Sequence, residues 1–239
     1  VTASGIAPTD LTHNFSGSRS GYANSVFVVG TTIYIGGCYY DVNEEAHACY
    51  WEIVGNSQNF SAFGPSKSAV NSIYVYGSQV YTVGYYWDQN KMNYMPCCWR
   101  GNGGDQTVLP PASAASGEAL SVFCTDENTA YIAGWYNDGN KNLPCYWIAH
   151  WGIGNALQDL PTGNYGGEAS SLVVSGNTVY TAGWNKTATG TGVPCYWVND
   201  NNPTALTLPG GAAYGYANSI SLSGGTVYTA GYCGPGPIP

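Results

Sequence analysis

VNSIYVYGSQVYTVG, residues 70–84, decides how this chain is read. An apolar run from Ile73 to Tyr76 is broken by Gly77-Ser78, and a second run rises from Val80 to Val83 and stops at Gly84. Two short runs of β-branched and aromatic residues around a Gly-containing pair predict a β-hairpin, because Gly accepts the positive φ of a tight turn. The phrase returns as ANSVFVVGTTIYIGG from Ala23, ALSVFCTDENTAYIAG from Ala119, ASSLVVSGNTVYTAG from Ala169 and ANSISLSGGTVYTAG from Ala217. Its matched serines are Ser25, Ser72, Ser121, Ser171 and Ser219; its matched tyrosines are Tyr34, Tyr81, Tyr131, Tyr180 and Tyr228. Self-similarity at a period of roughly 48 residues, carried by strands, predicts a repeat architecture.

Outward from the hairpin, each copy continues in the same order. A variable polar segment follows the Gly, and a third strand opens at Ala48-Cys49-Tyr50-Trp51, Pro96-Cys97-Cys98-Trp99, Pro144-Cys145-Tyr146-Trp147 or Pro194-Cys195-Tyr196-Trp197. A looser fourth strand ends at Leu109-Pro110, Leu160-Pro161 or Leu208-Pro209. Four strands per unit is the size of a propeller blade. The first two strands are apolar on both faces, as expected of a blade sandwiched between neighbours. The expected fold is all-β: a five-bladed β-propeller of four-stranded antiparallel blades, forming a single domain over 1–239. The blades fall at 24–67, 70–115, 119–166, 169–215, and 217–239 with 1–20. N-terminal strands would complete the last blade and hide two sheet edges. Donation of those strands to a second molecule is the rival reading, which makes self-association through the terminal strands a candidate interaction. The chain begins at Val1 rather than Met, as expected of a processed mature chain or an excised piece.

The VYTAGYY…PCYW…LP phrase resembles the β-propeller repeat superfamily, and within it repeats of uncharacterised secreted or surface proteins of bacteria. The resemblance spans essentially the whole chain and implies the fold. It carries no family site across, since propellers host lectins, scaffolds and hydrolases alike. The blade count is that of tachylectin-type lectins, whose motif residues are absent, as are the Gly-His and Trp-Asp pairs of WD repeats.

Composition narrows the partners. The net charge is -8, and the six cations (Arg19, Lys67, Lys91, Arg100, Lys141 and Lys186) are scattered, so no patch could neutralise a nucleic-acid backbone. No apolar run approaches the roughly 20 residues of a membrane helix, which argues against membrane insertion. Low charge with abundant Tyr, Ser, Thr and Asn predicts an extracellular or cell-surface setting. No cofactor or metal is expected: His13, His47 and His150 have no ligand spacing, and Asp41-Val42-Asn43-Glu44-Glu45 lacks the Gly and distal Glu of an EF-hand loop. Cys49, Cys97, Cys145 and Cys195 hold one position in four different blades, too far apart for mutual disulfides, and read as small packing residues. Cys38 and Cys49 could meet across their hairpin.

Variable loops on a rigid scaffold are where binding resides. After the hairpin Gly stand Tyr85, Trp135, Trp184 and Tyr232, with Cys38 in the first copy and Trp87 further along the second. Their rings suit the apolar faces of sugars, and nearby amides and carboxylates suit sugar hydroxyls. Packing between blades is the competing reading. Before each hairpin, at the channel mouth, stand Tyr22, Ala69, Glu118, Glu168 and Tyr216, followed by Asn24, Asn71 and Asn218 in three copies. Glycans or a cell-surface or matrix component are the expected partners, and a lectin-like or adhesive module without catalysis is the leading functional reading. A structural subunit of a surface array or filament is one alternative. The other is a glycoside hydrolase in which Glu118 and Glu168 act as a pair at roughly 5–10 Å.

Overall fold

The computed structural model describes Leu11 and residues 20–55, 57–101 and 105–235. Among them every regular element is a strand. Blade one is β1 (Ser20–Val29), β2 (Thr32–Tyr40), β3 (Ala46–Val54) and β4 (Ser57–Ser66). Blade two is β5 (Ser68–Tyr76), β6 (Gln79–Asp88), β7 (Asn93–Arg100) and β8 (Asp105–Val108). Blade three is β9 (Ser116–Asp126), β10 (Thr129–Asn137), β11 (Asn142–His150) and β12 (Gly154–Asp159). Blade four is β13 (Gly167–Ser175), β14 (Thr178–Lys186), β15 (Gly192–Val198) and the short β16 (Thr204–Ala205). Blade five shows β17 (Ala212–Ser223) and β18 (Thr226–Pro235). Strand order within each sheet is sequential and all pairing is antiparallel. The first strands β1, β5, β9, β13 and β17 pack on one another in succession. The chain is therefore a five-bladed β-propeller with the expected meander in each blade. Completion of blade five by residues 1–20 falls outside the described residues except at two positions, and Ser20 of these opens β1 instead.

The strands are longer than the repeat suggests. Each first strand begins four to seven residues before its matched Ser, and each second strand continues three or four residues past its Gly. Both extensions follow from one β-bulge present in every copy, between Ala23 and Ser25, Val70 and Ser72, Ala119 and Ser121, Ala169 and Ser171, and Ala217 and Ser219. A bulge re-aims side chains without ending the ladder. It also explains the Gly. A Cβ on Gly84 would run into the carbonyl oxygen of Ala69, and one on Gly183 into that of Glu168; Gly37, Gly134 and Gly231 repeat the clash.

The bulge turns the matched Ser toward the next blade. Ser25 Oγ accepts the backbone N–H of Ile73 at 3.2 Å, Ser72 Oγ that of Val122 at 3.3 Å, Ser121 Oγ that of Leu172 at 3.3 Å and Ser171 Oγ that of Ile220 at 3.4 Å. Around each bond lies an apolar joint: Phe27, Tyr34 and Tyr50 pack on Ile73 and Val75, while Phe123 and Tyr131 pack on Leu172 and Val174. Each aliphatic side chain buried there is worth roughly 1.5–3 kcal/mol. The third-strand tryptophans Trp51, Trp99, Trp147 and Trp197 are wholly buried. Trp197 Nε1 donates to the Pro161 carbonyl at 2.9 Å and Trp147 Nε1 to that of Pro110, while Leu109 and Leu160 fill the core beside them. The Leu-Pro phrase thus belongs to the following blade's Trp.

The cysteines among the described residues are free thiols. Register places Cys38 opposite Ala48 and Cys49 opposite Gly37, so the hairpin does not present the two to each other, and no Cys38–Cys49 bridge forms. Cys49, Cys97, Cys145 and Cys195 are buried beneath neighbouring blades. Burial pushes the Cys98 and Cys195 thiols up to about 12, which leaves them protonated and unreactive at neutral pH.

Candidate functional site

The extended second strands carry the aromatic positions into clefts between blades. In β10, Trp135 pairs with Glu118 on one side and Pro144 on the other; in β6, Tyr85 pairs with Ala69 and Pro96. These are ladder positions rather than loop positions, as the short loops 41–45, 89–92, 138–141 and 187–191 show. Tyr85, Tyr94, Asn93, Ser116, Gly117, Glu118 and Trp135 enclose a cleft of about 330 Å³ between blades two and three. Tyr94 meets Tyr85 and Trp87 edge to face, each at 5.0 Å between ring centres. Lys67 Nζ stands 5.7 Å from the Trp87 ring centre, a cation–π contact on the far side of this cluster.

Glu118 is the cleft's charged group. Asn71 Nδ2 donates to its Oε1 at 2.8 Å and to the Ala119 carbonyl at 2.9 Å. Burial raises the Glu118 carboxyl, and the Asn71 bond opposes the rise. The Tyr85 hydroxyl is pushed up to about 12, by burial first and then by the Glu118 charge. Glu168, one blade on and paired with Trp184, is pushed up to about 7 by burial and next by the charge of Glu118, against a lowering hydrogen bond from Trp184. Glu168 thus feels both its burial and the charge of Glu118, whereas the Glu118 shift comes from its own burial.

The cleft motif repeats around the same face. Between blades three and four, Asn142, Tyr165, Gly167, Trp184 and Lys186 enclose about 260 Å³. Between blades four and five, Pro194, Leu206, Tyr216 and Tyr232 line about 370 Å³. There Tyr216 stacks on Tyr232 at 5.1 Å and meets Trp184 edge to face at 5.0 Å. The loops above are braced: Lys91 Nζ donates to the Ala112 and Ala114 carbonyls, both at 2.6 Å, and Lys141 Nζ to that of Gly163 at 3.2 Å. Asp41 Oδ1 accepts the N–H groups of Asn43 and Glu45, an Asx turn that folds the 41–45 loop.

No protein-family model matches this sequence, and no curated protein sequence matches it. Among solved structures the chain is similar to a β-xylosidase at 12% identity and TM-score 0.45, over 87% of this chain and 84% of that one. It is also similar to a β-xylosidase/α-arabinofuranosidase from a compost microbial metagenome, solved with xylotriose, at 10% identity and TM-score 0.46, over 89% and 84%. A third is an α-L-arabinofuranosidase from Clostridium thermocellum, at 14% identity and TM-score 0.42, over 92% and 82%. Likeness at this distance carries no residue across.

Of the positions singled out in the sequence, the structure brings Tyr85, Trp135 and Glu118 into one cleft, with Trp87 behind Tyr94. Trp184 and Tyr232 each wall another cleft. Asn24 and Asn71 spend their amides on the next blade, Asn24 Nδ2 donating to the Val70 carbonyl at 2.8 Å. Asn218, on the last bulge, is exposed. Sequence reasoning missed Asn93 and Tyr94. Their signal was register: once β6 runs to Asp88, Asn93 and Tyr94 fall opposite Asp88 and Trp87 at the start of β7.

Proposed function

We propose that this chain recognises carbohydrate through the inter-blade clefts of one propeller face, chiefly the cleft between blades two and three. The observation that carries this reading is the convergence of Tyr85, Tyr94 and Trp135 on one 330 Å³ space with Glu118 and Asn93 at its wall. Aromatic faces take the C–H surfaces of a pyranose, and the carboxylate and amide take its hydroxyls. Further clefts at Trp184 and at Tyr216–Tyr232 favour an extended or branched glycan held at several points, which suits a lectin-like or adhesive role outside the cell. A glycan array covering plant, microbial and animal sugars tests it. Binding to a defined glycan set is expected; an empty array sinks the reading.

The Glu118–Glu168 pair favours a second reading, glycoside hydrolysis. A carboxyl held near pH 7 can donate a proton while a second carboxylate acts as base or nucleophile. Turnover of aryl glycosides that vanishes in a Glu118→Gln, Glu168→Gln double variant would support it. Absence of turnover, or turnover undiminished in that variant, would remove it. A structural subunit is the third reading, and it rests on the exposed faces at the two ends of the blade series.

A further inference from the structure

Four joints between successive blades are alike, and the fifth that would join blade five to blade one is unmade among the described residues. The residue after the matched Ser is buried against the preceding blade wherever one exists. Ile73 is 3%, Val122 5%, Leu172 5% and Ile220 6% exposed, but the equivalent Val26 in blade one is 62% exposed. Two positions on, Val75, Cys124 and Val174 are buried while Val28 is 57% exposed. The opposite face shows the complement. Tyr34, Tyr81, Tyr131 and Tyr180 are covered by the next blade or packed against it, but Tyr228 is 55% exposed. Ser219 and Asn218, which by repeat would accept the Val26 N–H and donate to the Ala23 carbonyl, are both exposed. No packing like that between consecutive first strands joins β17 to β1.

We propose that the trailing face of blade five docks on the leading face of blade one in a second copy of this chain, reproducing the internal joint between molecules. The occupant follows from complementarity already present inside the chain: a Ser Oγ accepting a backbone N–H at all four joints, an Asn amide donating to a carbonyl at two of them, and a Tyr ring set against the apolar side chains of the next first strand. A second copy presents the missing half of that joint at Ala23, Val26 and Val28. The contact is heterologous, since the two surfaces differ, so it propagates head to tail or closes into a ring of copies. It buries Val26, Val28 and Tyr228, side chains that water otherwise meets. This inference is independent of the carbohydrate reading.

Sedimentation velocity over micromolar to millimolar concentration tests it with two variants, Val26→Asp on the leading face and Tyr228→Asp on the trailing face. Both positions are exposed, so each variant should melt like the parent. The parent protein should gain mass with concentration, and each variant alone should remain a monomer. An equimolar mixture of the two should form a dimer and stop there, because it retains one intact pair of faces. A parent that stays monomeric throughout overturns the proposal. So does a mixture that stays monomeric, or variants that associate as the parent does. Should either variant fold poorly, Val28→Lys and Ser219→Lys give the same pairing of faces and the same criteria.

Discussion

Glu168 shows most clearly what one residue contributes beyond its type. Its sequence context, Gly167-Glu168-Ala169, says only that a carboxylate precedes a strand. The structure sets it against Trp184 and within the field of Glu118, and its carboxyl rises from 4.5 to about 7. A carboxyl whose folded value exceeds its unfolded value binds more protons folded than unfolded between those limits. Its contribution to stability is therefore present below about pH 4.5, is lost as pH rises toward 7, and stays lost above. Glu168→Gln should stabilise the protein at pH 8 by on the order of 1–3 kcal/mol and leave it nearly unchanged at pH 4.5. Asp41, Asp126 and Asp138 are shifted downward, chiefly by backbone hydrogen bonds, and work in the opposite direction under acid. The comparison must therefore be parent against variant at each pH, by thermal melts. A constant difference across pH 4.5–8 would show that Glu168 does not titrate in this window.

At the scale of elements, the hairpin and its period were legible because Gly, β-branched residues and a repeated phrase are local signals. The bulge was not, because a bulge is a relation between strands. Its trace was nonetheless in the phrase as an unvarying Gly, which the turn alone does not require: Gly84, unlike Gly77, does not have a positive φ. Gly84→Ala must push the Ala69 carbonyl away and break the bulged register that sets Asn71 and Ser72 against blade three. The expected cost is about 2–4 kcal/mol, measured by chemical denaturation; a cost under about 0.5 kcal/mol would mean the bulge does not hold the Gly in place. The same shift should disturb the cleft, since Asn71 also holds Glu118. Asn93 and Tyr94 were hidden for a related reason: their place depends on how far β6 runs past Gly84, which no local pattern marks.

On the scale of the whole molecule, the five copies specify blades and also the joints between them. Ser and Tyr repeat because each blade fastens to the next; the last copy keeps Ser219 and Tyr228, both exposed among the described residues. The proposed recognition rests on where the copies differ. Blade two supplies Tyr85 and Tyr94, blade three supplies Glu118 and Trp135, and blade one has Cys38 where the others place an aromatic ring. The cleft between blades two and three therefore has the fullest set of aromatic and polar groups, which is why the proposed recognition is placed there. The most direct measurement is a calorimetric titration of the strongest glycan from the array into the parent protein and into Trp135→Ala. Saturable binding that weakens about tenfold or more in the variant is predicted, as expected when a stacking ring is removed. Equal affinity for both proteins, or no heat with the parent, would contradict it.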